Sequence, residues 1–533
     1  MIHHKATATG LGRVAAMLAA AAAGVPLTAQ APRPAGPVRY DLVVSIVVDQ
    51  MRPDYFTRFQ SQWTGGFKRF AAGGTLYLNG EQDHAITETA PGHSTVLSGR
   101  SPAATGIVTN DLGVPDSLAP LIGAPTLTGA SPRRFRGTTL FDWMLAADPE
   151  TRVLSVSRKD RGAILPIGRA RVPVYWYAGG SFTTSTWYAD SLPSWVVAWN
   201  QRKGPARLAG TEWTLLLQEA EYPEPDDQPY ENGGKDKVFP HRVPDNAALL
   251  SEYPWMDSLT MDLALEGVRQ LGLGARGKPD LLSISLSTTD AVGHKYGPDS
   301  RELHDHLLRL DRWLGRFMDS LATLVPRERI LFMLTADHGV TSYPERTALR
   351  GTPAGRVSLD SLVRAHGTWY RNRYGVDFGF DHQNGLIFAD VAALAARGVD
   401  TDSLARALAA AMARLPGVTR VYTPRTLAQA PASDLDAARW RRSIPADFGW
   451  LVAGSVRPGF LWAYGSARTG HGTTNPDDVR VPIGFLGAGI AAQRPDRVAR
   501  TVDIGPTIAA LLGIRPTEKV EGVPLREVTG APR

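Results

Sequence analysis

Three separate apolar runs in this 533-residue chain each lead into an aspartate. DLVVSIVVD covers Asp41 to Asp49; DLLSISLS runs into Thr288, Thr289 and Asp290, with His294 four residues on; RILFMLT runs into Ala336, Asp337 and His338. Runs so rich in aliphatic and β-branched residues fit strands covered on both faces, the condition of a parallel sheet. Parallel strands need crossovers, and helical patterns stand between the runs. TTLFDWMLAA precedes the strand pattern RVLSVS of Arg152 to Ser157, and longer helices are expected from about Trp255 to Leu273 and about Ser300 to Leu324. The expected fold class is α/β, a central mostly parallel sheet flanked by helices. Ligands of such sheets gather beyond the carboxyl ends of the strands, so the three acids, two with a histidine nearby, should meet at one edge.

The length allows one elaborated domain with insertions. Residues 38–342 and 463–533 are expected to form the main domain, with an irregular insertion at 171–245, rich in Trp, Tyr, Gly and Pro, and an α+β cap segment at 343–462. The cap carries strand, helix and strand patterns in GLIFAD, DSLARALAAAMARL and VTRVYTP, and a second small domain is the other way to read it. VPIGFLG and VDIGPTIAALLGI then return to the sheet as a strand and a covering helix.

Residues 1–31 read as a signal peptide: Lys5 and Arg13, an apolar VAAMLAAAAAGVPL core shorter than a membrane span, then small residues. The mature chain should have no membrane span and should act in the periplasm or be secreted. No cysteine is present, so an exported protein would rely on its core and on metal rather than on disulfides. The net charge of +6 comes from scattered cations with no basic stripe, so no nucleic-acid partner is expected. The oligomeric state is left open, a monomer included.

ITETAPGHSTVLSGRSPAATGIVTN, from Ile86 to Asn110, places Thr89 at the mouth of a short helix. Unpaired N–H groups and the positive dipole end there favour an alkoxide and a bound oxyanion, which makes Thr89 the candidate nucleophile beside the plainer reading of a capping threonine. Asn110 could give an amide hydrogen to the anion. Lys159 and Arg161 follow the RVLSVS strand as two cations two residues apart; if the strand continued they would point to one side, although such pairs are commonly solvated surface charge.

Asp49, Asp290, His294, Asp337, His338 and His471, with the Thr89 oxygen, supply carboxylate and imidazole donors for two ions. That mixture suits zinc, and the lack of cysteine points to catalytic rather than structural sites. Two adjacent metal ions fit phosphoryl transfer.

VVDQMRPDYF, TAPGHSTVLSG, GIVTN, TTDAVGHKYGP, TADHG, GHG and TVDIGPTIAALLGI together resemble the alkaline phosphatase superfamily. The resemblance falls in the branch of type I phosphodiesterases/nucleotide pyrophosphatases and phosphate-irrepressible alkaline phosphatases, and covers about Asp41 to the end. It implies an alkaline phosphatase-like fold. One Zn2+ ion would be held by Asp290, His294 and His471, and a second by Asp49, Asp337, His338 and Thr89. Asn110 would contact a phosphoryl oxygen. SRKDRGAILP resembles the feature by which the phosphate-irrepressible enzymes grip the extra oxygen of a monoester with Lys159 and Arg161. The implied activity is hydrolysis of small-molecule phosphate monoesters through a phosphothreonine. A phosphodiesterase on the same scaffold and a non-catalytic binding protein are the alternatives. A sulfatase is disfavoured because the frame of its modified Cys or Ser holds Thr89 here.

Overall fold

The computed structural model describes residues 38–463 and 468–530; the leader at 1–31 lies outside the described residues. The Leu42–Val48 run is a strand with every side chain buried, flanked in parallel by Asp280–Leu286 on one side and Ile330–Thr335 on the other. Both neighbours are also buried along their whole length, so aliphatic side chains cover the two faces of this sheet centre as the sequence pattern requires. Burying one such side chain stabilises by roughly 1.5–3 kcal/mol, so the three runs strongly fix register.

Among the described residues the sheet has nine strands. From edge to edge they are Ala499–Arg500, Thr75–Glu81, Arg480–Leu486, Ile330–Thr335, Leu42–Val48, Asp280–Leu286, Val153–Ser157, Val174–Ala178 and Ser181–Thr183. Arg480–Leu486 is antiparallel to both neighbours and Ser181–Thr183 to its one neighbour, while the remaining pairs are parallel. The sheet is therefore mixed around a parallel centre. Trp255–Leu271 and Arg301–Ala322 are the long helices; the second begins at Ser300, whose hydroxyl accepts the Leu303 N–H, and lays a continuous apolar face on the core.

The stretch 171–245 is less irregular than its composition suggests. Its VYWYA and SFT segments extend the main sheet, because the aromatic side chains of Tyr175, Tyr177 and Phe182 pack into the same core. Within 343–462 a separate antiparallel sheet forms, in the order Asp381–Gln383, Leu386–Phe388, Trp450–Val456, Val418–Tyr422. Helices including Asp360–Tyr374 and Thr401–Met412 close it around a core of its own. A smaller apolar cluster holds this segment to the stretches on either side of the Thr89 helix: Ile86 and Val108 pack with Leu386, Tyr422 and Trp440. No helix among the described residues is long and apolar enough to cross a membrane.

Candidate metal and phosphoryl-transfer site

Three parallel neighbours end at one edge, so the residues just beyond them share one space. Asp49 follows its strand directly, and Asp337 stands two residues past Thr335. Asp290 and His294 lie four apart on the Thr288–Tyr296 helix and thus on one face, with His294 Nε2 3.1 Å from Asp290 Oδ1. His471 comes from the far end of the chain; its Nε2 is 3.2 Å from His294 Nε2 and 3.6 Å from Asp290 Oδ1. Asp49, Asp337 and His338 form a second group, with ligand atoms all within 4.8 Å. His338 also lies within that distance of Asp290 and His471, so it stands between the groups instead of belonging to one alone.

The imidazoles are oriented by their other nitrogens. His338 Nδ1 donates to the Gly339 carbonyl at 2.9 Å, His471 Nδ1 to the Thr87 carbonyl at 2.7 Å, and His294 Nδ1 to the Thr469 carbonyl at 3.1 Å. Each therefore keeps the Nε2 lone pair for the shared space. Burial, then the neighbouring His471, drives the basicity of His338 well down, which favours the neutral ring a metal needs. Burial opposes the charge of Asp290, but the Lys159 ammonium and His294 outweigh it and hold the carboxyl well below its usual range. Asp49 goes the other way: burial and then the Asp337 carboxylate push it up.

Thr89 is the first residue of the Thr89–Val96 helix, buried, with Oγ1 3.2 Å from Lys159 Nζ and 3.5 Å from His338 Nε2. The helix approaches Asp337 so closely that a Cβ at position 92 would stand 2.1 Å from the Asp337 carbonyl oxygen; only Gly92 permits it. Asn110 Oδ1 accepts the Ala90 N–H at 2.8 Å, which leaves its amide hydrogens for the cavity it lines. The strand before Lys159 stops at Ser157, so Lys159 caps the Asp160–Ile164 helix and Arg161 sits in its first turn; both still face the same cavity of about 1090 Å³. Lys159 Nζ lies 2.7 Å from Asp49 Oδ2 and 2.6 Å from Asp290 Oδ2, so it joins the carboxylates as well as the hydroxyl. Among the described residues Arg161 has a single ion pair, to Asp160 at 3.5 Å, and keeps donors to spare.

Three residues of the site escape sequence reasoning. Glu88, the N-cap of the Thr89 helix, accepts the Asn110 N–H at 2.7 Å and the side-chain amides of Gln383 and Asn384 from the inserted segment. A carboxylate just before a helix start is a readable signal, because the dipole favours it there. His93 donates through Nδ1 to the Thr89 carbonyl, its Nδ1 is 3.1 Å from Asp337 Oδ2, and its Nε2 is 2.9 Å from Ser285 Oγ. Its place four residues along the helix from Thr89 was the available hint. Gln50 carries no such signal.

The family model described as type I phosphodiesterase / nucleotide pyrophosphatase matches residues 43–451. Alkaline phosphatase PhoV of Synechococcus elongatus is 33% identical over 90% of each chain, and alkaline phosphatase PafA of Elizabethkingia meningoseptica is 30% identical over 95% of this chain and 96% of its own. The crystal structure of PafA superposes with a TM-score of 0.85 at 29% identity, covering 92% of this chain and 99% of that one. Another PafA structure, also at 0.85, carries substitutions of a threonine, an asparagine, a lysine and an arginine. This chain belongs to the type I phosphodiesterase/nucleotide pyrophosphatase family of the alkaline phosphatase superfamily. Within that family its matches over most of the chain include several alkaline phosphatases, and it is an enzyme.

Proposed function

We propose that the enzyme hydrolyses phosphate monoesters with two Zn2+ ions through a covalent phosphothreonine on Thr89, releasing an alcohol and inorganic phosphate. The observation that carries this reading is the position of Thr89 Oγ1: at a helix N-terminus, 3.2 Å from an ammonium, beside two groups of metal-ligand side chains. The donor set suits zinc on its own chemistry. Asp49 Oδ1 is buried without a hydrogen-bond partner, its Oδ2 faces only the Lys159 ammonium, and three imidazoles turn their Nε2 atoms inward. Asp290, His294 and His471 would hold one ion; Asp49, Asp337, His338 and the Thr89 oxygen would hold the other. When bound, the ions would lower the pKa of the attacking hydroxyl and neutralise charge on the leaving oxygen.

Thr89 Oγ1 then forms the bond to phosphorus as the bond to the ester oxygen breaks, and water later cleaves the phosphothreonine. The Asn110 amide, with its carbonyl held by the helix, would donate to one phosphoryl oxygen. Lys159 and Arg161 would meet the others, and a monoester presents more charge to them than a diester does. The four residue types substituted together in PafA are the types of Thr89, Asn110, Lys159 and Arg161. We place the mature protein in the periplasm or outside the cell, from the composition of residues 1–31. The deciding measurement is kcat/KM for a monoester and a diester sharing one leaving group, with zinc-loaded protein. The monoester should be preferred; a preference for the diester overturns the assignment in favour of a phosphodiesterase.

A further inference from the structure

Gln50 is buried in contact with both groups of candidate ligands, and its backbone is left-handed, with φ of 68°. For a residue with a long side chain that conformation is costly, and it persists only where the surroundings impose it. Its backbone N–H donates to Asp337 Oδ1 at 3.1 Å, and its side-chain amide donates to Asp290 Oδ1 at 2.8 Å. The amide oxygen rests against the next helix: a Cβ at position 293 would lie 1.8 Å from Gln50 Oε1, so Gly293 makes its room. Gln50 thus follows Asp49 in the chain and holds one oxygen of Asp337 and one of Asp290. It touches a carboxylate from each proposed zinc site.

We propose that Gln50 is a positioning residue that sets how the two metal sites stand relative to each other, an inference that rests on the two-ion reading above. The left-handed backbone is what allows one residue to do this. An extended or helical φ at position 50 would swing either the N–H away from Asp337 or the side chain away from Asp290. Gln50→Gly keeps the backbone geometry, which glycine adopts without strain, and removes the whole side chain, the donor amide with it. Gln50→Met keeps the length and removes the donor.

The test is zinc titration of metal-free wild type, Gln50→Gly and Gln50→Met against a chromophoric chelator of known affinity, with circular dichroism to verify the fold. The wild type should take up two ions. Both variants should remain folded and should bind at least one of the two ions about 10- to 100-fold more weakly, the range typical of lost partners to metal ligands. Folded variants that bind both ions with wild-type affinity would overturn the proposal. So would failure of both to fold, since Gln50 would then serve the fold alone. A wild type that binds fewer than two ions would instead bring down the reading of the metal centre, and is told apart from failure of this inference by that control.

Discussion

Thr89 is a small, buried side chain whose hydroxyl makes few contacts, so removing it tests chemistry with little disturbance to packing. Thr89→Ala should lose turnover by about 10³-fold or more while keeping its unfolding midpoint, and Thr89→Ser should keep activity because a primary hydroxyl can replace the secondary one. Wild-type-like turnover in rigorously purified Thr89→Ala would end the covalent mechanism. The cation pair separates monoester from diester. Each charge-assisted contact is worth roughly 1.5–3 kcal/mol, so Lys159→Ala/Arg161→Ala should cost on the order of 10²–10⁴ in monoester kcat/KM and much less for a diester of the same alcohol. Equal loss on both substrates would make the pair a general electrostatic feature. That outcome has a physical route, since Lys159 also neutralises Asp49 and Asp290.

At the scale of elements, Glu88 ties the Thr89 helix to the hairpin of the inserted segment. Glu88→Ala would leave the Asn110 N–H and the amides of Gln383 and Asn384 without their acceptor. Urea unfolding should show a loss of at least about 1–3 kcal/mol, and monoester kcat should fall because Asn110 is no longer held. An unchanged midpoint with unchanged kcat would show that the link carries nothing. Elements of this kind differ in how legible they are. The Leu42–Val48, Asp280–Leu286 and Ile330–Thr335 strands announce themselves because burial on both faces demands unbroken aliphatic runs. The acids beyond them follow from strand direction alone. Val174–Ala178 and Ser181–Thr183 hide, because they are short and aromatic and lie next to glycines and prolines that read as loop. Gln50 hides for a different reason: its role comes from a left-handed φ and two contacts 240 and 287 residues away in sequence, and no local pattern encodes those.

For the whole molecule, metal analysis of active enzyme should give two zinc ions per chain, with chelation abolishing activity and zinc restoring it; one ion or none in active protein contradicts the proposal. A second expectation concerns pH. Burial, then the Glu302 carboxylate, pushes Glu231 up from the ordinary range to about 9. The folded state therefore binds this proton more tightly than the unfolded chain does, and its stabilising effect is full below the unfolded pKa and drains away as pH rises towards about 9. Melting temperature should fall over that window, and Glu231→Gln should flatten the fall; identical pH slopes for the two proteins would rule Glu231 out as its source. The proposed metal centre has one more consequence. Its candidate ligands run from Asp49 to His471, and the His471 ring is fixed by the Thr87 carbonyl 384 residues earlier in the chain. A ribosome must therefore have passed position 471 before the last imidazole can reach the others. A partly made chain presents carboxylates without their full complement of nitrogens, so zinc capture belongs to the end of synthesis and folding, and a protein exported unfolded would acquire its ions only after it has crossed the membrane.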